Sequence, residues 1–193
     1  GDEVVVIGPN WPNIDTVVKI AGGRPVPVRL GEDSSGWHLD LDAVAAAVGA
    51  KTRAVYVNSP SNPTGWIMRE DEGRALLELC RRHGLGLIAD EVYHRNVFDG
   101  PDPAPSFVTL AEPEEPVFVL NGFSKAYAMT GWRLGYTAAP KKIADAIDTI
   151  QSHTTSNPTT FAQYGALAAL QGDQQIVADM RDEFDVRRQY MMS

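Results

Sequence analysis

The stretch NGFSKAYAMTGWRLGY, residues 121–136, follows an apolar strand pattern and carries a lysine among apolar residues. Lys125 lies close to Phe123 and Met129, which are residue types of protein interiors, where an unpaired ammonium is unfavourable. Apolar neighbours lower the cost of a neutral amine and so favour a nucleophilic lysine. We therefore predict that Lys125 either extends to water or takes part in chemistry.

On both sides of this stretch, short apolar runs alternate with helical patterns. The apolar runs are VVVIG, PVPVRL, RAVYVNS, LGLIADE, VFVLNG and RLGYTAAP, and the helical patterns include REDEGRALLELCRRHG and three stretches after residue 140. This alternation predicts a mostly parallel sheet with helices on both faces, which is a three-layer α/β/α domain. We predict that the proline-rich residues 99–116 are an irregular surface connection, because an apolar strand pattern resumes directly after them.

Composition limits the classes of function. A chain of 193 residues that is 44% hydrophobic supports one substantial core, so we predict one domain. The formal charge of -8 makes nucleic acid an unexpected partner. The sequence contains no run of about 18 apolar residues, so we predict no membrane helix. The single Cys80 cannot form an internal disulfide and suits a helical core, which favours a reducing cytoplasm.

Polar groups follow three of the apolar runs, and ligands bind beyond the carboxyl ends of the strands in an open parallel sheet. Asn62 follows RAVYVNS, Asp90 and Tyr93 follow LGLIA, and Ser124 and Lys125 follow VFVLNG. Taken singly, NPTG is an ordinary turn and an aspartate after a strand often caps a helix. Together they predict that an amide, a carboxylate, a phenol and an amine meet at one edge of the sheet.

These groups, with an arginine further on, match the needs of pyridoxal 5'-phosphate, whose aldehyde forms a Schiff base with a lysine amine. Asp90 suits the pyridine nitrogen, because a carboxylate keeps that nitrogen protonated. Tyr93 and Asn62 suit the ring oxygen beside the aldehyde. Arg133 offers a planar fork to phosphate oxygens, and Ser124 can donate to the same group.

Three ordered motifs carry a family resemblance: NSPSNPTG at 58–65, ADEVY at 89–93 and the stretch at 121–136. In this order they closely resemble the fold-type I pyridoxal phosphate enzymes, specifically the aspartate aminotransferase-like class I aminotransferases, over essentially all 193 residues. The resemblance implies that Lys125 is the Schiff-base lysine and also moves a proton between the substrate alpha carbon and the cofactor. It further implies that Trp11 stacks on the cofactor ring, and that the protein is a homodimer acting on an amino acid and a 2-oxo acid.

This chain also differs from the usual pattern of the family. Residues 1–193 correspond to a partial large domain, and we expect the N-terminal segment and the C-terminal small domain of the family to lie outside it. Many members have a phosphate-binding serine where this chain has Gly122. Some dicarboxylate-specific members have an arginine before Ser-Asn-Pro, and residues 151–158, QSHTTSNP, have none.

The favoured function is amino-group transfer by a ping-pong route through a pyridoxamine form. Another enzyme on the same scaffold, such as a carbon-sulfur lyase, stays open because these residues only activate the alpha carbon. So does a non-catalytic regulator with an aminotransferase-like domain. A nucleotide triphosphatase is disfavoured, since LGLIADE has no GxxxxGK[ST] partner, and the four histidines show no metal-ligand spacing.

Overall fold

The computed structural model describes residues 1–193, with eight strands and six α-helices. The strands are β1 (Glu3–Gly8), β2 (Arg24–Arg29), β3 (Gly31–Asp33), β4 (Gly36–His38), β5 (Thr52–Asn58), β6 (Gly86–Asp90), β7 (Val117–Gly122) and β8 (Gly135–Ala138). The helices are α1 (Asn13–Ile20), α2 (Leu41–Ala47), α3 (Glu70–His83), α4 (Lys141–Thr154), α5 (Thr160–Gln171) and α6 (Gln175–Met192). None of these helices is long and apolar enough to cross a bilayer.

The main sheet has six strands in the order β2-β1-β5-β6-β7-β8. Neighbouring strands from β2 to β7 are parallel, and β8 runs antiparallel to β7 at one edge. This confirms the predicted α/β class, a mostly parallel sheet in a three-layer α/β/α domain. The last strand begins at Gly135 rather than at Arg133, because Arg133 ends a short 3-10 helix with φ 55°.

The core forms where the central strands meet the helices. Val5, Val55 and Leu87, from β1, β5 and β6, are fully buried, and Leu76 and Cys80 of α3 belong to the same cluster. Consecutive apolar residues suit strands that are covered on both faces. Cys80 is a buried free thiol, as predicted, and burial raises its pKa to about 12.

Specific contacts stabilise both ends of helix α3. Glu72 is buried and accepts hydrogen bonds from the backbone N–H groups of Arg69 at 2.8 Å and Leu39 at 3.2 Å. It therefore satisfies a free donor at the helix start and ties that start to the approach to α2. Gly84 ends the helix in the left-handed conformation with φ 64°, which a residue without Cβ adopts at little cost.

Two features differ from the sequence-based prediction. The β3-β4 hairpin was not predicted, because strands of three residues are too short to show a two-residue periodicity. Residues 99–116 are irregular, as predicted, but they do not lie wholly on the surface. Phe107 is buried in the main core, and buried Glu91 accepts hydrogen bonds from the Phe107 N–H at 2.8 Å and from Ser106 Oγ at 2.6 Å.

The packing of α3 predicts a large effect of truncating its central leucine. We expect Leu76→Ala to lower the free energy of unfolding by about 2–5 kcal/mol, because it removes buried methyl groups and leaves a cavity. Urea denaturation followed by circular dichroism measures this. Ile20→Ala on α1 is the control, since Ile20 is 81% exposed. An equal, small effect of both substitutions would contradict the described core.

Candidate active site

The carboxyl ends of β5, β6 and β7 lie side by side, and backbone pairing sets their alignment. Asn58 pairs with Asp90, and Asp90 pairs with Leu120. The carbonyl oxygen of Asp90 accepts two hydrogen bonds from the β5 side, from Ser59 N–H at 3.1 Å and from Asn58 Nδ2 at 2.9 Å. On the other side, the Glu91 N–H donates to the Leu120 carbonyl at 2.9 Å. These bonds bring the three predicted polar segments to one edge.

The Asp90 carboxylate is partly buried and accepts hydrogen bonds from two donors. Tyr56 Oη donates to Oδ2 at 3.0 Å, and the Val92 N–H donates to Oδ1 at 3.2 Å. Burial raises the pKa of Asp90, and these two bonds act in the opposite direction by stabilising the carboxylate. Burial and the charge of Asp90 raise the pKa of Tyr56, so its hydroxyl remains a donor at neutral pH.

The amide and the phenol meet, as the sequence predicted. Asn62 Nδ2 donates to Tyr93 Oη at 3.3 Å across the ends of β5 and β6. Asn58 Oδ1 accepts from the Asn62 N–H at 2.9 Å and so fixes the start of the NPTG turn. Asn58 thus contacts both the Asp90 carbonyl and the Asn62 backbone.

Lys125 lies in the turn after β7, and its Nζ is 5.5 Å from the centroid of the Tyr93 ring. With Tyr93 and Ser124 it lines a cleft of ≈ 1280 Å³. Lys125 is exposed, so its side chain extends to water, which is one of the two alternatives that the sequence leaves open. Phe123 and Met129 are buried, but they pack in a second cluster against Ala166 of α5.

Two predicted cofactor ligands lie apart from this group. Trp11 is 56% exposed, in the segment between β1 and α1. Arg133 is exposed, and its Nη1 donates to the Thr130 carbonyl at 2.9 Å. No hydrogen bond or ring contact joins either side chain to Asp90 or Lys125. The roles of Trp11 and Arg133 therefore remain predictions.

Gly122 stands where many family members have a serine, and the strand pairing explains why a side chain would be crowded. A Cβ at Gly122 would lie 3.2 Å from both Gly135 Cα and the Leu134 carbonyl oxygen of the antiparallel neighbour. Backbone atoms of this kind must shift to make room. The close approach of β7 and β8 thus suits glycine at this position.

The sequence analysis missed Tyr56 and Asn58, which support Asp90 from β5. Both lie in a run of apolar residues, two positions apart, and residues two apart in a strand share a face. A phenol and an amide on one face of a buried strand need hydrogen-bond partners. That pattern was the available signal for a polar site beside the β5 end.

The fold and this group of side chains define the class of the chain. A mostly parallel α/β domain with Lys125, Tyr93 and Asp90 at the carboxyl edge of its sheet is consistent with the three-layer fold of the fold-type I enzymes. The family model described as aminotransferase class I and II matches residues 1–193. The chain therefore belongs to the class I and II aminotransferase family.

Individual relatives agree with this assignment. The chain is 41% identical over 187 residues to an aspartate aminotransferase of Geobacillus stearothermophilus, covering 97% of this chain and 47% of that one. It is 41% identical over 198 residues to an aspartate/prephenate aminotransferase of Cereibacter sphaeroides, covering 100% and 48%. The solved aspartate aminotransferase of Thermus thermophilus with maleate has a TM-score of 0.93 at 34% identity, covering 100% and 50%. The chain spans about half the length of these relatives.

The hydrogen bond between Tyr56 and Asp90 predicts a measurable change in acidity. We expect Tyr56→Phe to raise the pKa of Asp90 further, by about one unit, because the carboxylate loses a donor while burial is kept. Carbon-13 NMR titration of labelled aspartate side chains measures the shift, and Asp90→Asn assigns the resonance. The control is Tyr164→Phe, at an exposed tyrosine of α5. An unchanged or lowered pKa of Asp90 in Tyr56→Phe would contradict this account.

Proposed function

We propose that the protein is a pyridoxal 5'-phosphate-dependent aminotransferase that moves an amino group between an amino acid and a 2-oxo acid. The observation that carries this proposal is the convergence of Lys125, Tyr93 and Asp90 at the carboxyl edge of the sheet, in a chain of the aminotransferase family. An amine, a phenol and a partly buried carboxylate are the groups that this cofactor requires.

The donor set at the sheet edge fits the cofactor. Asp90 is partly buried and accepts one hydrogen bond at each carboxylate oxygen, which leaves acceptor capacity for a ring N–H. Asn62 and Tyr93 are in contact with each other and can both donate to one anionic oxygen. Lys125 and Ser124 line an open cleft that is large enough for a cofactor and a substrate. Arg133 uses only one N–H in its bond to Thr130, so four donors remain for a phosphate.

These residues would divide the binding as follows. Asp90 would hold the pyridine nitrogen, Asn62 and Tyr93 the ring oxygen, and Ser124 and Arg133 the phosphate. Trp11, which is exposed, would cover the ring face. When bound, pyridoxal 5'-phosphate supplies an aldehyde that links covalently to an amine and a ring that withdraws electrons from the substrate alpha carbon.

The residues of the chain have separate tasks in this chemistry. Lys125 would provide the amine to which the cofactor is attached and, once released by the incoming substrate amine, would carry the proton at the alpha carbon. Asp90 would remain ionised beside a cationic ring nitrogen, because an opposite charge nearby favours the charged carboxylate. Tyr56 would hold Asp90 in orientation through its hydrogen bond to Oδ2.

Relatives named as aspartate and aspartate/prephenate aminotransferases support aspartate as the first donor to test, with 2-oxoglutarate as acceptor. Residues 151–158 contain no arginine, so the side-chain carboxylate of such a donor would be bound by another group. We also propose a cytoplasmic location, since the buried Cys80 is a free thiol.

The test of this proposal is attachment of the cofactor to Lys125 in the intact protein. We expect borohydride treatment of the protein with pyridoxal 5'-phosphate to label the peptide that contains Lys125. We expect Lys125→Ala to abolish this labelling and to reduce transamination by at least about 10²–10⁴-fold, because the amine and the proton carrier are both lost. Mass spectrometry and a coupled assay with aspartate and 2-oxoglutarate measure these results.

Lys141→Ala is the matched control, because Lys141 is an exposed lysine of α4 that pairs only with Asp145. Labelling at a lysine other than Lys125 would overturn the assignment of the site. Formation of pyruvate and ammonia from cysteine, without transfer to a 2-oxo acid, would identify a carbon-sulfur lyase instead. Binding of the cofactor with no reaction of any amino acid would favour the non-catalytic regulator.

We further propose that the protein is a homodimer, and exposed apolar side chains near the site support it. Phe161 and Tyr164 of α5 are 72% and 69% exposed. The Phe161 ring packs edge-on against the exposed Trp132 ring, with the two ring centroids 6.4 Å apart. Large apolar side chains grouped on one surface are typical of an interaction site. This surface adjoins the 3-10 helix that leads to Arg133, so a partner there would lie near the proposed phosphate ligands.

A charge on this surface should separate the subunits. We expect the intact protein to elute with the mass of two chains and Phe161→Glu to elute with the mass of one, because an unpaired carboxylate is costly in an apolar interface. Size-exclusion chromatography with light scattering measures the masses. Ile20→Glu, at an exposed isoleucine of α1, should leave the mass unchanged. A dimer in Phe161→Glu would show that subunits associate through another surface.

A further inference from the structure

One side-chain hydrogen bond joins the segment that carries Tyr93 to the segment that carries Lys125. His94 follows Tyr93 in the turn after β6, and Asn121 lies near the end of β7, four residues before Lys125. The His94 Nδ1 and Asn121 Nδ2 atoms are 2.9 Å apart. Both residues are partly buried. The contact therefore bridges the end of β7 and the turn after β6.

The neighbouring backbone determines which atoms donate in this contact. The Gly122 N–H, which can only donate, points at Asn121 Oδ1 at 2.7 Å. The amide oxygen therefore faces Gly122, and the amide NH₂ faces His94. His94 Nδ1 must accept a hydrogen bond, which requires a neutral ring with its proton on Nε2.

The surroundings of His94 also favour the neutral ring. Burial lowers the pKa of His94, and the adjacent Arg95 charge lowers it further. The Glu91 backbone, the Asp102 carboxylate and the Asn121 side chain act in the opposite direction without cancelling this effect. Asp102 is itself bonded to Arg95 at 2.9 Å and to Arg181 of α6 at 2.6 Å, so its charge is largely compensated.

We propose that His94 is a positioning residue that accepts a hydrogen bond from Asn121 as the neutral Nε2–H tautomer. It thereby holds the Lys125 turn against the turn that carries Tyr93, directly after Asp90 at the end of β6. This inference rests on the proposed function, since it assigns His94 a part in aligning that site. His94 acts through Asn121 and contacts neither the cofactor nor the substrate.

The need for such a link follows from the position of Lys125. Backbone pairing between β6 and β7 ends at Asp90 and Leu120, and the Glu91 N–H makes one further bond to the Leu120 carbonyl. Lys125 lies five residues beyond Leu120, in a turn, and its side chain is exposed. Its Nζ lies over the Tyr93 ring, 5.5 Å from the ring centroid. The bond between His94 and Asn121 is a side-chain constraint on the separation of these two turns.

Protonation of His94 would break this link. A proton on Nδ1 would face the Asn121 NH₂ group, so two donors would oppose each other. Because the pKa of His94 is lowered, the neutral ring and its bond persist at neutral pH and are lost as the pH falls through that pKa.

The first test needs no cofactor. In nitrogen-15 NMR spectra of the intact protein, we expect His94 to show the neutral Nε2–H tautomer at neutral pH. We expect Asn121→Asp to raise the pKa of His94 by about one unit or more, because a carboxylate would accept from Nδ1–H and favour the charged ring. An Nδ1–H tautomer, or an unchanged pKa in Asn121→Asp, would overturn the proposed bond.

The second test measures alignment of the site. We expect His94→Leu to weaken binding of pyridoxal 5'-phosphate about three- to tenfold, because one buried hydrogen bond is lost. It should also shift the pH at which the absorbance of the bound cofactor changes. His94→Asn places an amide oxygen near the Nδ1 position and should keep the affinity within about twofold of the original. Equal affinity and absorbance of the Leu and Asn variants would overturn the positioning role.

Two further variants separate positioning from misfolding. Asn121→Ala removes the donor and should reproduce the effect of His94→Leu, and the double variant should be no worse than either single variant. Additive losses would show that the two residues act independently and would overturn the proposal. His83→Asn, in the last turn of α3, is the histidine control. A protein that never attaches the cofactor at Lys125 would instead contradict the proposed function, whatever the NMR result for His94.

Discussion

The register of β6 between β5 and β7 is the constraint on which the site depends. Asp90 pairs with Asn58 on one side and with Leu120 on the other, and its carbonyl accepts from both Ser59 N–H and Asn58 Nδ2. A slip of one residue would turn the Asp90 side chain to the opposite face of the sheet. The carboxylate would then lose its hydrogen bond from Tyr56, and the segments that follow β5 and β7 would no longer begin beside it.

The partly buried carboxylate of Asp90 has hydrogen-bond donors but no cationic side chain bonded to it. Burial disfavours its charged form, while Tyr56 and the Val92 N–H stabilise that form. Two neutral donors do not supply the opposite charge that a partly buried carboxylate favours. A cationic ring nitrogen at this position would supply it, and the same carboxylate would keep that nitrogen protonated. The stabilisation is mutual, which is why one acidic group at this strand end suits a cofactor that must remain an electron acceptor.

Much of this arrangement is readable from the sequence. Alternating apolar runs and helical patterns predict the mostly parallel sheet, and the polar residues after three runs predict that Asn62 and Tyr93 lie at one edge of it. Periodicity does not report partners, so Tyr56 and Asn58 look like strand residues until the Asp90 bonds are seen. It also does not report the direction of a side chain in a turn. Lys125 is exposed although its apolar neighbours are buried, because the turn sends the two sets of side chains to different sides.

Side-chain hydrogen bonds beyond the strand ends hold the segments that carry the proposed catalytic groups in alignment. Backbone pairing aligns the chain only as far as the strand ends, and the proposed catalytic groups lie past them, where loops have more freedom. Asn62 bonded to Tyr93 joins the ends of β5 and β6, and His94 bonded to Asn121 joins the ends of β6 and β7. The segment after β6 is thus held on both sides by one side-chain bond each. A site built in this way keeps its alignment only while each of these groups retains the protonation state that its bond requires, so its geometry depends on hydrogen-bond chemistry as well as on packing.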